Sequence, residues 1–550
     1  MDKWLKPGIA ANPKIKYRGK RFFIFFILFA WLLSILACTR SVVQPWQITA
    51  TANAIEPLPK TASLLADPPQ VSPTASNSTG VIPTSTPLHP PTSTLPAPTA
   101  TPNPASTEKP PILYYTQAGD TLPLVAVRFD VSMNEIITPE KMPPFGSLLT
   151  PNQLLIIPNR LPETGPGDSV LPDSEVAFSP SAVDFDIDEF VNQAGGYLST
   201  YREWLSTGWN SGADVVRRIS VENSVNPRLV LALIEYQGHW VYGQPQNLAE
   251  TDYPLGYNDF NHKGLYKQLS WVIQQISIGY YGWRAGLMTE ISFPKDVQNP
   301  TLRLAPQLNA GSIALQYLFS TLYENQRTWS GALYGAKSLP ALHEKMFGNP
   351  WLRAQSVEPL YPPNMVQPPL ELPFAPGNIW SLTGGPHSAW GPDGALAAID
   401  FAPSAMDSGC VESLDWITAA APGKVARISN GIVVIDLDGD GYEQTGWALL
   451  YLHVSTKDRV QIGTYVNTDD RLGHPSCEGG VSTGTHFHFA RKYNGEWILA
   501  DGPIPMVLGG WRVHAGEKPY LGSLTRDDYV VTACQCGSFE THIARPKPIP

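Results

Sequence analysis

The chain has 550 residues, with 38 Lys and Arg against 48 Asp and Glu, a formal net charge of −10, and 54 prolines. That length exceeds one compact core and predicts several domains with linker between them. A chain this acidic is poorly suited to a phosphate backbone, which excludes nucleic acid as its partner.

At the N-terminus Lys3, Lys6, Lys14, Lys16, Arg18, Lys20 and Arg21 precede an unbroken apolar run over 22–37. This is the pattern of an export signal, so 1–37 read as a signal peptide of the lipoprotein type, whose removal takes the net charge to −16. Ile35-Leu36-Ala37-Cys38 resembles a lipobox, although Leu36 is bulkier than that position prefers. The resemblance implies lipid on Cys38 and anchoring to the membrane. The sixteen apolar residues also approach the ~20 that span a bilayer, which leaves an uncleaved signal anchor as the other reading. Either way the rest of the chain is expected on the extracellular face of the membrane or in the cell wall.

Residues 38–111 are a Pro/Thr/Ser-rich linker that cannot bury a core; proline at this density favours an extended stalk. Residues 112–160 then show an apolar strand, a turn at Gly119, an amphipathic helix with Leu122, Val125, Ala126 and Phe129, and a closing strand of Leu and Ile. Tyr115, the run Gly119-Asp120-Thr121-Leu122, Arg128-Phe129 and the closing run Leu149-Thr150-Pro151-Asn152-Gln153-Leu154 resemble a LysM module. What that resemblance implies is a βααβ unit binding the N-acetylglucosamine-containing glycan of peptidoglycan.

Over 184–360 the pattern is helical, with Trp and Tyr on repeating apolar faces. Asn226-Pro227 opens one helix, and Asn309, Gly311 and Tyr317-Leu318 mark a later one; together they resemble a lysozyme-like domain. The family's catalytic glutamate is replaced by Gln237, whose amide cannot protonate a glycosidic oxygen. Glu235 stands two residues earlier, about 200° round the helix. The expectation is a helical domain that packs or grips glycan without cutting it, with an active glycosidase as the other reading.

From 374 to 520 the chain turns to short β-rich runs broken by glycine, a mostly antiparallel β domain, and six of the eleven histidines fall between 387 and 514. In Thr485-His486-Phe487-His488-Phe489, alternate residues of a strand put His486 and His488 on one face. His453 ends a second apolar strand, and Asp400 interrupts a third, where a bare carboxylate is costly unless it is paired or binds a metal. A zinc site with nitrogen and oxygen ligands and one open position answers all of these. The stretch resembles the lysostaphin-like zinc endopeptidases, and more closely their β-lytic branch. Leu396 stands where most of that family has its first ligand histidine, and His387, thirteen residues before Asp400, matches the β-lytic spacing. The resemblance implies His387, Asp400 and His488 as ligands of one Zn2+ per chain and His453 with His486 as the catalytic pair, one the base and the other the oxyanion stabiliser. The peptide part of peptidoglycan would be its substrate. A competing expectation is a cell-wall-binding scaffold, or an activator of wall hydrolases, built on a peptidase fold without activity. His474 and His514 read as hydrogen-bonded structural residues.

Beyond Cys38 the chain has Cys410, Cys477, Cys534 and Cys536. An even number outside the membrane permits disulfides, and Cys410 with Cys477 is the favoured pair because both flank the suspected catalytic region. A bridge across the single residue between Cys534 and Cys536 would be strained. Asp436, Asp438, Asp440 and Gly441 copy the first half of a calcium loop, but Trp447 fills the twelfth position. An acidic hairpin turn is the stronger reading there, with Ca2+ the weaker. Residues 521–550 are read as a C-terminal extension.

Overall fold

In a computed structural model, the structure describes residues 109–404, 408–536 and 538–547. The export signal, Cys38 and the linker to residue 108 lie outside the described residues. Among the described residues no helix is long and apolar enough to cross a membrane.

Strand Ile112–Tyr115 pairs antiparallel with Leu154–Ile157, and helix Leu122–Phe129 lies between them in sequence. Val125, Ala126 and Phe129 close a small core with Tyr114, Leu155 and Ile157. The expected second helix is one 3-10 turn, Met133–Glu135. Its Ser132/Glu135 capping box starts a helix, but Ile136 is already extended and Pro139 restricts the residue before it. Ile137 instead exchanges backbone hydrogen bonds with Ile156, adding to the strand pair.

The helical part is built around Pro227–Gly238, Leu265–Arg284 and Ala310–Leu322. Asn226 caps the first by accepting from the Arg228 N–H, and Pro227 occupies a position where its missing donor costs nothing. Leu231, Ile276 and Ile313 of these helices share one buried core with Ala398, Val434, Ala448, Leu450 and Ala490 of the β domain. The helices therefore roof one face of the sheet, and the two parts form a single packed body where the sequence suggested separate domains.

Among the described residues the sheet has nine strands. Its order runs Tyr465–Val466, Gly423–Ser429, Ile432–Asp436, Trp447–Leu452, Phe487–Tyr493, Leu396–Pro403, Ile379–Ser388 and His542–Ala544, with Glu496–Trp497 added beside Phe487–Tyr493. The alternation of side chains gives it two buried faces. Ile399, Phe401, Val433, Tyr451, Phe487 and Phe489 point away from the helices into a second core that includes Phe374, Trp380, Val513 and Leu524. The segment read as a C-terminal extension is part of this architecture: Gly522–Arg526 pairs with Trp511–Ala515, and His542–Ala544 forms an edge of the main sheet against Ile379, Trp380 and Ser381.

Candidate metal centre

The strand pairing assembles the site. His488 lies directly opposite Asp400 on one side and Leu452 on the other, while His387 enters from the next strand, opposite Ala398. Phe487 and Phe489 face the second core, so His488 and Asp400 fall on the helix-roofed side. His387, Asp400 and His488 are buried, and each offers an atom within 4.8 Å of the others. His387 Nε2 is 3.0 Å from His488 Nδ1, and both nitrogens are 3.3 Å from Asp400 Oδ1.

Backbone carbonyls fix the imidazole tautomers. His387 Nδ1 donates to Gly385 O at 2.8 Å, and His488 Nε2 donates to Ala389 O at 3.1 Å. In a neutral ring the other nitrogen is then a bare acceptor. Two such nitrogens converge on a carboxylate oxygen that has no hydrogen-bond partner. Three buried acceptors with no donor between them repel one another, and a cation placed among them removes that conflict. The donor set of two imidazoles and one carboxylate fits a zinc ion that keeps a position open.

Two more imidazoles stand beside this group. His486 Nε2 is 3.9 Å from Asp400 Oδ1, and the His453 ring lies 4.5 Å from that of His486. His453 Nδ1 donates to Glu478 O at 2.8 Å and His486 Nδ1 to Gly484 O at 2.7 Å, so each keeps Nε2 as an acceptor. Burial, with His486 and His488 nearby, pushes His453 down to about 3, so its ring is neutral. The structure thus brings together all five residues singled out in the sequence.

Cys410 and Cys477 are joined, as favoured from the sequence. Cys534 and Cys536 are also joined, with Cα atoms 5.1 Å apart, inside the range a disulfide spans. His474 and His514 hydrogen-bond to Asp415 O and Thr525 Oγ1, each at 2.7 Å. Asp436, Asp438 and Asp440 come within ligand distance of one another at a hairpin end, where Asp436 accepts from the N–H groups of Asp438 and Gly441. Burial and then the neighbouring carboxylates push Asp436 up to about 7. In the helical part Glu235 accepts from the N–H groups of Val241 and Tyr242, which gives it a structural task.

Tyr520 had no sequence signal. Its ring stacks on His387, with centroids 4.1 Å apart and planes within 17°, and its carbonyl accepts from the Gly385 N–H at 2.9 Å.

A buried histidine and aspartate group with two neutral imidazoles beside it, on the floor of an antiparallel sheet, is the equipment of a metal-dependent hydrolase. Comparison with known proteins narrows the class. Residues 169–363 match the family model "LasA, N-terminal domain"; they contain the stretch that the sequence likens to a lysozyme-like domain. The chain is 29% identical over 323 residues to Protease LasA of Pseudomonas aeruginosa, covering 54% of this chain and 69% of that protein. It is 28% identical over 159 residues to the beta-lytic metalloendopeptidase of Achromobacter lyticus, covering 28% of this chain and 41% of that one. Among solved structures, an M23 metalloprotease described as pseudoalterin aligns at 24% identity and a TM-score of 0.26, covering 31% of this chain and 96% of that one. The chain is a metalloendopeptidase, similar to Protease LasA and to the beta-lytic enzymes.

Proposed function

We propose that this protein is an exported zinc endopeptidase that hydrolyses peptide bonds of bacterial peptidoglycan. The observation that carries the reading is the convergence of His387 Nε2, His488 Nδ1 and the unpartnered Asp400 Oδ1. These three residues would hold zinc. Bound there, the ion would supply a Lewis acid able to activate water near neutral pH and to polarise the scissile carbonyl.

The protein's own groups do the rest. The carbonyls of Gly385 and Ala389 keep the ligand imidazoles in the tautomer that presents a lone pair, and Tyr520 packs against one ring to hold its plane. His453 and His486 have Nδ1 committed to carbonyls, so either Nε2 can accept the proton of the attacking water, and the imidazolium so formed donates to the developing oxyanion and then returns that proton to the departing amine.

Residues 112–160 serve as the LysM module that binds wall glycan, which the strand pair and helix of that segment support. Cys38 carries a lipid that keeps the enzyme at the cell surface, and the Pro-rich stretch from 38 to 111 spaces it from the membrane. Digestion of purified peptidoglycan by the whole exported chain tests the activity: new amino termini from the peptide bridges are expected. Intact bridges in every wall type, with zinc bound, would favour the scaffold alternative.

A further inference from the structure

A cleft opens between helix Leu265–Arg284 and the loop 390–392, next to the metal centre but apart from it. Trp390 on its rim directly follows Ala389, whose carbonyl accepts from His488 Nε2. The cleft is a groove open to solvent. Tyr266, Lys267, Trp271 and Gln274 of the helix form one wall, Asn261 stands just before it, and Trp390 lies opposite.

The helical spacing of residues 267, 271 and 274 puts them on one face, extending about 10 Å along the axis. Tyr257 stacks flat on Trp271, with centroids 3.7 Å apart and planes within 3°, which fixes the indole as a rigid wall. At the start of the helix Glu203 accepts from the Tyr266 N–H at 2.9 Å, tying down a hairpin that carries Trp204 and Trp209, 63% and 70% exposed.

The lining selects a ligand class. Among the described residues no carboxylate lines the cleft, although acids outnumber bases in the chain. A cationic ligand would find no counter-charge, and a polyphosphate would need more cations than Lys267 with His262 supply. A wholly apolar ligand would strand the amides of Asn261 and Gln274. Flat aromatic rings beside neutral amides suit a pyranose, whose C–H face packs on the rings while its hydroxyl and acetamido groups meet the amides.

The geometry points to a saccharide subsite: this cleft holds N-acetylated amino sugars attached to the peptide being cut, so that helices without a glycosidase acid grip the glycan. The inference rests on the wall-hydrolase reading of the metal site.

The test compares KM for small cross-linked disaccharide-peptide fragments with KM for the same peptides after the sugars are removed, using the full exported chain. About ten-fold lower KM for the glycosylated fragments is expected, with kcat close to equal. The tetramer of N-acetylglucosamine should inhibit their cleavage competitively, which binding at residues 112–160 alone would not do. Trp271→Ala and Gln274→Ala should remove the KM preference and the inhibition, whereas Trp271→Phe should retain both. Equal KM values in the natural sequence, with both fragments cut, would overturn the subsite alone. Failure to cut either fragment would overturn the wall-hydrolase reading and the subsite with it.

Discussion

Gly384 stands opposite Asp400 in the sheet, and a Cβ there would lie 2.6 Å from the Asp400 Oδ2 and 3.1 Å from its Cγ. The glycine leaves the space in which the carboxylate turns toward the two imidazoles. Gly384→Ala is therefore expected to displace Asp400, lowering zinc affinity and turnover by ten-fold or more, an order of magnitude typical of disturbing a ligand's support. Zinc titration of the folded variant reads this, and unchanged affinity would show that the space is not needed.

Arg284 joins three parts of the chain. It donates to Ala118 O, pairs with Asp173 at 2.8 Å and pairs with Glu496 at 2.7 Å. Arg284→Ala would leave the fully buried Glu496 without its cation, a loss of about 3–5 kcal/mol. A lower denaturant midpoint is expected, together with faster proteolysis between 160 and 173.

Burial alone would raise Glu443, but Arg427 and Lys492 hold it down to about 2. Its folded value lies below its unfolded one, so its contribution is fully present above about pH 4.5 and is lost as pH falls toward 2. Melting temperature should drop across that window. Glu443→Gln should lower it at neutral pH, because Arg427 and Lys492 would be left buried, and should flatten the acid limb.

The Cys410–Cys477 bridge closes a loop of 67 residues, and the residues beside Cys410 hold Thr485, whose N–H donates to Gly409 O at 3.0 Å and whose Oγ1 donates to Val411 O at 2.5 Å. Replacing both cysteines by serine should cost roughly 2–4 kcal/mol. It should also reduce turnover, since Thr485 precedes His486. Equal activity at equal folded fraction would separate the bridge from the site.

Most of the metal centre was legible because a strand's alternation is local: His486-Phe487-His488 and the lone Asp400 in an apolar run announce which face they share. His387 was reachable only through family spacing, because the irregular pairing of residues 382–388 leaves no simple period. Tyr520 and the edge strand His542–Ala544 reach the site strand from more than 130 residues away in sequence, and nothing in their own neighbourhood signals it. The shared core was hidden for a similar reason. Ala398, Ala448 and Ala490 read as ordinary strand residues, and only the assembled sheet shows that they form a flat seat for helices. The second helix of the expected βααβ unit is reduced to the turn Met133–Glu135 because β-branched residues and proline outweigh a good capping box.

Zinc content measured alongside wall cleavage, in the natural sequence, His488→Ala and His453→Ala, tests the central claim most directly. The account predicts about one zinc per chain in the natural protein and in His453→Ala, little in His488→Ala, and turnover reduced by about a hundred-fold or more in both variants. Zinc retained in full by His488→Ala, or undiminished cleavage by His453→Ala, would contradict it.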